Sequence, residues 1–154
     1  MASIQDSGTD CLLCSVETRL CALPLASVRE VMRPLACEAL AEAPQFVRGL
    51  AIIRGQAAPV IELATLLGAR AAGVTRFVAL RVEQGMAALA VDEVLGVRSL
   101  SRELLSQGKS VLGAAVPDAV RSVATLDSRL LLVLDAVRLV PDATWELVRQ
   151  ARAS

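Results

Sequence analysis

The sequence predicts a mainly β protein built from two similar small β-barrels. Apolar runs of four to eight residues recur along the 154-residue chain, and turn-like pairs separate them, which is typical of barrels and sandwiches. Valine, isoleucine and leucine dominate several of these runs, as in strands that are buried in small barrels. The predicted strands cover residues 11–18, 20–23, 49–53, 57–63, 77–82, 86–91, 120–126 and 130–134.

An internal repeat indicates that the two barrels are related by duplication. Two blocks of the first half recur in the same order in the second half, at offsets of 73 and 66 residues. The difference between the offsets predicts seven extra residues in the second half, within 105–118. The matching segments are 47–51 with 120–124, 60–62 with 133–135, and 22–25 with 88–91, which also aligns Val28 with Val94 and Val31 with Val97.

The internal helices are predicted to be short. One covers residues 27–32, with Ser27 as its N-cap and Pro34 after its end. Another covers residues 64–67 and is closed by Gly68. Neither is long enough to be stable without packing against the strands.

The tail is predicted to form a longer helix over 143–152, with Thr144 as its cap. Trp145 lies early in this helix and is either a packing anchor against a barrel or an interface residue. The predicted organisation is a flexible N-terminus at 1–9, one domain at 10–140 with repeats at about 20–68 and 86–140, and a C-terminal helix at 141–154.

The composition argues against most enzyme classes and against nucleic-acid binding. Lys+Arg and Asp+Glu number 16 each, so there is no basic surplus to attract a phosphate backbone. The chain has no histidine, which removes the usual general base at neutral pH and the commonest metal ligand. A carboxylate-dependent enzyme would need paired acids that converge on a pocket, and no such spacing occurs. We therefore expect a binding module that uses neither a metal nor a cofactor.

Neither a membrane span nor an export signal is expected. The longest stretch without a charged residue is nine residues, whereas a spanning helix needs about 20 apolar ones. The N-terminal segment is acidic and does not resemble a secretory signal, so we expect a cytoplasmic protein. Its four cysteines are then reduced and used as small apolar residues. Cys11 and Cys14 form a C-x-x-C, but on a strand they point to opposite faces and cannot share a metal.

Five segments together carry a resemblance to a known family. In the first half they are 22–31 (ALPLASVREV), 43–49 (APQFVRG) and 53–63 (IRGQAAPVIEL). In the second half they are 91–97 (VDEVLGV) and 126–135 (LDSRLLLVLD). Over about residues 10–140 the chain resembles the CheW family, the adaptors of bacterial chemotaxis arrays.

The resemblance implies an all-β fold of two intertwined SH3-like, five-stranded barrels and a noncatalytic adaptor. Adaptors of this family link the cytoplasmic tips of methyl-accepting chemoreceptors to the regulatory domain of the histidine kinase CheA, at the inner face of the membrane. Three departures leave open a CheW-like scaffold of a divergent array, such as one for twitching motility, with other partners. These are Ile52-Ile53 in place of Asn-Leu, Asp127-Ser128 in place of Asp-Gly, and Cys21-Ala22 in place of an aromatic residue.

The candidate contact residues come from the same segments. Arg54 and Gly55 are expected at a hairpin tip, where Arg54 is either a solvated charge or a planar fork for a partner's carboxylates. Gly49 marks a bulge, a close backbone approach or a partner contact. Val28 and Val31 are expected to share one face of the short helix, toward the core or a partner, and Glu30 is either solvated or in contact. The candidate receptor- or kinase-binding residues are Arg54, Gly49, Gly55, Val28, Glu30, Val31, Val94 and Val97.

Overall fold

The computed structural model describes residues 8–70, 73–105 and 117–153, and these ranges contain ten strands and three α-helices. Single 3-10 turns lie at Leu25–Ser27 and Ala136–Arg138. No helix in these ranges has the length and hydropathy needed to cross a bilayer. The strands are β1 (Thr9–Val16), β2 (Arg19–Pro24), β3 (Val28–Met32), β4 (Val47–Ile53), β5 (Gln56–Glu62), β6 (Arg76–Val82), β7 (Gly85–Val91), β8 (Glu93–Leu100), β9 (Val120–Leu126) and β10 (Arg129–Leu134); the helices are α1 (Leu63–Leu66), α2 (Arg102–Leu105) and α3 (Asp142–Ala153).

The strands form two five-stranded sheets, and each sheet contains strands from both repeats. The first sheet has the order β8–β1–β2–β10–β9, and the second has the order β3–β6–β7–β5–β4. With β1–β5 and β6–β10 as the repeats, each sheet takes the first two strands of one repeat and the last three of the other. Parallel pairing of β2 with β10 and of β5 with β7 joins the repeats, as does antiparallel pairing of β1 with β8 and of β3 with β6. The expected intertwining of the two units is confirmed.

Three apolar clusters explain the high apolar fraction of the chain. Leu12 and Cys14 of β1 pack in a cluster shared by the two sheets, whereas Cys11 and Leu13 pack on the opposite face of the first sheet. Leu89 of β7 likewise joins the shared cluster, while its neighbours face the second sheet's own cluster. A strand that is buried on both faces has a continuous apolar sequence instead of an alternating one. Most of the apolar excess therefore lies in the cores.

The eight predicted strands all overlap observed ones, but the helix predicted at 27–32 is wrong. Ser27 ends a 3-10 turn, and the next five residues form β3, in which Val31 lies opposite Val78 of β6. Pairing with β6 satisfies backbone groups that a one-turn helix would leave to solvent, and β-branched residues such as Val28 and Val31 suit a strand. β8, for which the sequence predicts no strand, pairs with β1 at the edge of the first sheet.

The C-terminal helix α3 packs onto the shared cluster. Thr144 is not its cap, because the carbonyl of Pro141 already accepts hydrogen bonds from the backbone N–H groups of Thr144 (2.9 Å) and Trp145 (3.2 Å). Thr144 is instead a buried residue of the first turn, and Trp145 is a packing anchor that is 2% exposed. β1 begins at Thr9, within the segment expected to be flexible. Residues 1–7 lie outside the described residues, as does most of the predicted seven-residue insertion.

Candidate functional site

The β4–β5 hairpin tip is tied to the far edge of its own sheet by an ion pair. Arg54 and Gly55 form a two-residue turn with φ values of +49° and +80°, which is typical of a type I′ hairpin. Arg54 Nε and Nη2 donate to Glu30 Oε2 (2.6 Å) and Oε1 (3.1 Å) on β3. This bidentate contact lowers the pKa of Glu30, chiefly through the hydrogen bonds from Arg54. Arg54 and Glu30, expected to be solvated or to contact a partner, therefore contact each other.

The first sheet has the same link with the opposite polarity. Arg98 of β8 donates from Nη1 to Asp127 Oδ2 at 2.8 Å, and Asp127 occupies the tip of the β9–β10 hairpin. Hydrogen bonding from Arg98 lowers the pKa of Asp127. Asp127 is the repeat equivalent of Arg54, at the offset of 73. Both units thus join an edge strand to the opposite hairpin by an ion pair, but the hairpin carries a cation in one and an anion in the other.

The four candidate valines divide into two partly buried and two exposed positions. Val28 and Val94 pack against the shared cluster. Their neighbours in the pattern, Val31 and Val97, are 40% and 56% exposed. The prediction that Val28 and Val31 share one face is wrong, because β3 is a strand and residues three apart on a strand lie on opposite faces. Val31 and Val97 are the two that a partner can reach.

Gly49 has a structural role that accounts for it without a partner. It adopts a φ of +144° at an irregularity in the β4–β5 ladder. A Cβ at this position would overlap the carbonyl oxygen of Glu38 and lie 2.9 Å from its carbonyl carbon. The bulge and the close backbone approach that the sequence suggests are both present. Gly55, in contrast, has no heavy atom within 4 Å of an added Cβ, so it serves the turn alone.

Arg54 also lines a cavity of about 180 Å³ near the β6–β7 turn. Its walls include Arg29 of β3, Arg81 of β6, Gln56 and Glu83. Three guanidinium groups stand against one lining carboxylate, so this end of the second sheet favours carboxylate or carbonyl groups of a partner. No described residue accepts a hydrogen bond from Arg54 Nη1. The sequence does not indicate Arg29 or Arg81, because each is an isolated charge until β3 and β6 pair.

An apolar groove of about 410 Å³ lies beside β4. Leu40, Leu50 and Ala151 line it together with Ile52, whose 67% exposure is the highest among the large apolar residues of the described ranges. In the sequence, only the isoleucine at position 52, where the resembled family has asparagine, indicates this groove. The groove is an exposed apolar feature in addition to Val31 and Val97, which lie on different sheets.

The cysteines and acids do not form a metal centre in the part of the chain that the structure describes. Cys11 and Cys14 pack in different clusters on opposite faces of β1, as the sequence predicts. No group of three or more histidine, cysteine, aspartate or glutamate side chains converges within the described ranges. The polar features that do converge are exposed ion pairs, which suit recognition of another protein.

The fold and its surface define a two-unit β module with edge strands and hairpin tips available for contact. The chain matches the family model of the CheW-like domain over residues 10–144. It therefore belongs to the CheW-like domain family.

Two relatives show how far the similarity extends. A probable chemotaxis protein CheW from Rhizobium etli is 22% identical over 125 residues, which cover 79% of this chain and 81% of the relative. The crystal structure of the scaffolding protein TtCheW from Thermoanaerobacter tengcongensis matches with a TM-score of 0.76 and 22% identity, over 89% of this chain and 95% of that one. The structural likeness confirms the all-β, two-unit fold that the sequence predicts.

Proposed function

We propose that this protein is a noncatalytic signalling adaptor that couples chemoreceptor cytoplasmic tips to the regulatory domain of a CheA-type histidine kinase. The observation that carries the proposal is the exposed ion pair between Arg54 at the hairpin tip and Glu30 on β3, within a CheW-like fold. Glu30 and Arg54 are 24 positions apart in sequence, and they become neighbours only because the fold brings β3 and the β4–β5 hairpin, from opposite edges of one sheet, together. The adaptor works in the cytoplasm, in receptor arrays at the inner face of the membrane, without inserting into the lipid or binding nucleic acid.

The two hairpin tips carry opposite charges, which suits an adaptor that binds two different partners. One sheet carries the Arg54 tip paired with Glu30, and the other carries the Asp127 tip paired with Arg98; each edge strand also has an exposed valine, Val31 or Val97. An exposed apolar residue next to a charged group is a common arrangement at the margin of a protein interface. Like charges across an interface are costly, so the reversed polarity helps each surface reject the other's partner.

Reconstitution tests the proposal directly. We expect the purified protein to form a ternary complex with a kinase regulatory domain and a receptor-tip fragment, as measured by size-exclusion chromatography with light scattering. Each binary affinity should be moderate, because arrays gain strength from many weak contacts. Failure to bind any CheA-type regulatory domain would rule out the adaptor function. Binding to receptor tips of a motility array, and not to those of a chemotaxis array, would support the divergent scaffold.

A charge swap separates a partner contact from a structural role for Arg54. Arg54→Glu places two carboxylates together at the hairpin and removes the free Nη1 donor, so we expect binding of the receptor-tip fragment to weaken about tenfold. The double variant Glu30→Arg with Arg54→Glu restores the ion pair with the polarity seen at Arg98 and Asp127. Isothermal titration calorimetry should show that the double variant still binds the receptor-tip fragment weakly.

The control for the swap lies in the other sheet. Arg98→Glu disrupts the equivalent ion pair and should leave binding at the Arg54 surface unchanged. Recovery of binding in the double variant would show that Arg54 acts only by holding the hairpin to β3. Circular dichroism should report folded protein in every case, because exposed ion pairs contribute little to stability.

A further inference from the structure

Cys14 and Cys21 lie directly opposite each other on β1 and β2. Both side chains are fully buried, and both pack in the shared cluster. Cys11 faces the other side of β1, and Cys37 packs partly buried against the second sheet's own cluster. Cys14 and Cys21 are therefore the one adjacent pair of thiols in the described part of the chain.

The positions of the pair suit a covalent bond. Opposed residues on antiparallel strands have Cβ atoms about 4.5–5.5 Å apart, and a disulfide needs about 3.5–4.5 Å. A closer approach of about 1 Å is enough to join the sulfur atoms. Both side chains pack in the shared cluster, so they extend from the same face of the first sheet.

We propose that Cys14 and Cys21 are an oxidative modification site, where a hydroperoxide small enough to enter the core forms an intramolecular disulfide. One thiolate attacks a peroxide oxygen and breaks the O–O bond, which gives a sulfenic acid and releases water after protonation. The second thiol then attacks the sulfenic sulfur, so that an S–S bond forms as the S–O bond breaks. The departing hydroxide takes the proton of the second thiol and leaves as a second water. With hydrogen peroxide, the two thiols lose two hydrogen atoms in total and the peroxide is reduced to two waters.

The surroundings of the pair determine which oxidants can act. Interaction with the neighbouring Cys14 thiol, together with burial, holds the pKa of Cys21 well above its usual range. Thiolate is therefore scarce, and the reaction should be slow. Full burial excludes bulky reagents, so glutathione disulfide should not modify the folded protein.

The bond would also affect the neighbouring strand β8. Cys14 lies opposite Val94 on the other side of β1, and this ladder is irregular between Leu13 and Cys14. β2 is held by β1 on one side and by β10 on the other. We therefore expect β1 to move toward β2 at the irregular position and to loosen the pairing with β8, where Val97 is exposed.

Mass spectrometry of the full chain tests the disulfide. The reduced protein is treated with hydrogen peroxide, alkylated with iodoacetamide in denaturant and digested with trypsin, which cleaves after Arg19, between the two cysteines. We expect peptides 1–19 and 20–29 to be linked, with a mass two hydrogens below the sum of the two peptides when Cys11 is counted as alkylated. Cys11→Ser should keep the link, and Cys21→Ala and Cys14→Ala should each abolish it.

Two results would overturn the site. One is oxidation confined to Cys11 or Cys37 while Cys14 and Cys21 remain alkylatable. The other is equal reaction of the pair with glutathione disulfide in the folded protein, which would contradict selection by size.

Hydrogen exchange tests the effect on β8. In the oxidised protein, amides at 93–97 should exchange about threefold faster or more than in the reduced one, since a loosened edge opens more often. Peroxide-treated Cys21→Ala is the control and should show no change. Unchanged exchange in the disulfide-linked protein would refute the coupling to β8 and leave the modification site intact.

Discussion

Gly49→Ala is expected to lower the free energy of unfolding by about 3 kcal/mol. Part of this loss is backbone strain, because a φ of +144° is rarely adopted by residues that carry a Cβ. The rest is overlap with Glu38, whose backbone exchanges hydrogen bonds of 2.7 and 2.8 Å with Leu50 and cannot withdraw without breaking them. Urea denaturation should show a lower midpoint with an unchanged m-value.

Gly55→Ala is the matched control for this prediction. Its φ of +80° is also unfavourable for alanine, but no heavy atom lies within 4 Å of the added Cβ. The expected loss is about 1 kcal/mol, from the backbone alone. Equal losses at Gly49 and Gly55 would contradict the close approach at Glu38. If Gly49 instead contacts a partner, Gly49→Ala would reduce binding per folded molecule, measured well below its unfolding midpoint.

The strands were predictable where burial leaves a pattern in the sequence. β7 buries nearly every residue, and its continuous apolar run identifies it directly. β8 has only Leu100 buried, so neither an apolar run nor a clear alternation marks it. β3 is equally obscure, because its alternation is weak and the preceding Ser27 resembles a helix cap. Both missed strands lie at sheet edges, where half of the environment is solvent.

The candidate site was predictable residue by residue, but its contacts were not. The sequence indicates Arg54 and Glu30 separately, and the repeat aligns Arg54 with Asp127. That alignment suggests that the fold does not need an arginine at the hairpin tip. The structure adds that each tip pairs with the opposite edge strand, so the polarity can reverse as long as both members change. Such a compensated reversal can be recognised only when the partner of each charge is known.

Trp145→Ala is expected to cost about 3–5 kcal/mol of stability, the largest loss from any single truncation in α3. The indole is 2% exposed and packs in the cluster shared by the two sheets. Gly85, at the start of β7, lies beside the ring, where an added Cβ would make an ordinary contact at 3.6 Å. Truncation leaves a cavity between α3 and the sheets, while the Arg152 hydrogen bond to the carbonyl of Ala57 (2.6 Å) still ties the end of the helix to β5.

Trp145→Phe separates this packing role from that of an interface residue. The buried Nε1 of Trp145 has no hydrogen-bond acceptor among the described residues, so phenylalanine loses ring area without breaking a hydrogen bond. We expect a loss of about 1–2 kcal/mol in thermal or urea unfolding, with partner binding unchanged below the transition. A packing anchor requires that stability fall in the order Trp, Phe, Ala while affinity stays constant. Loss of affinity in a fully folded Trp145→Phe variant would place the indole at an interface, which its near-complete burial contradicts.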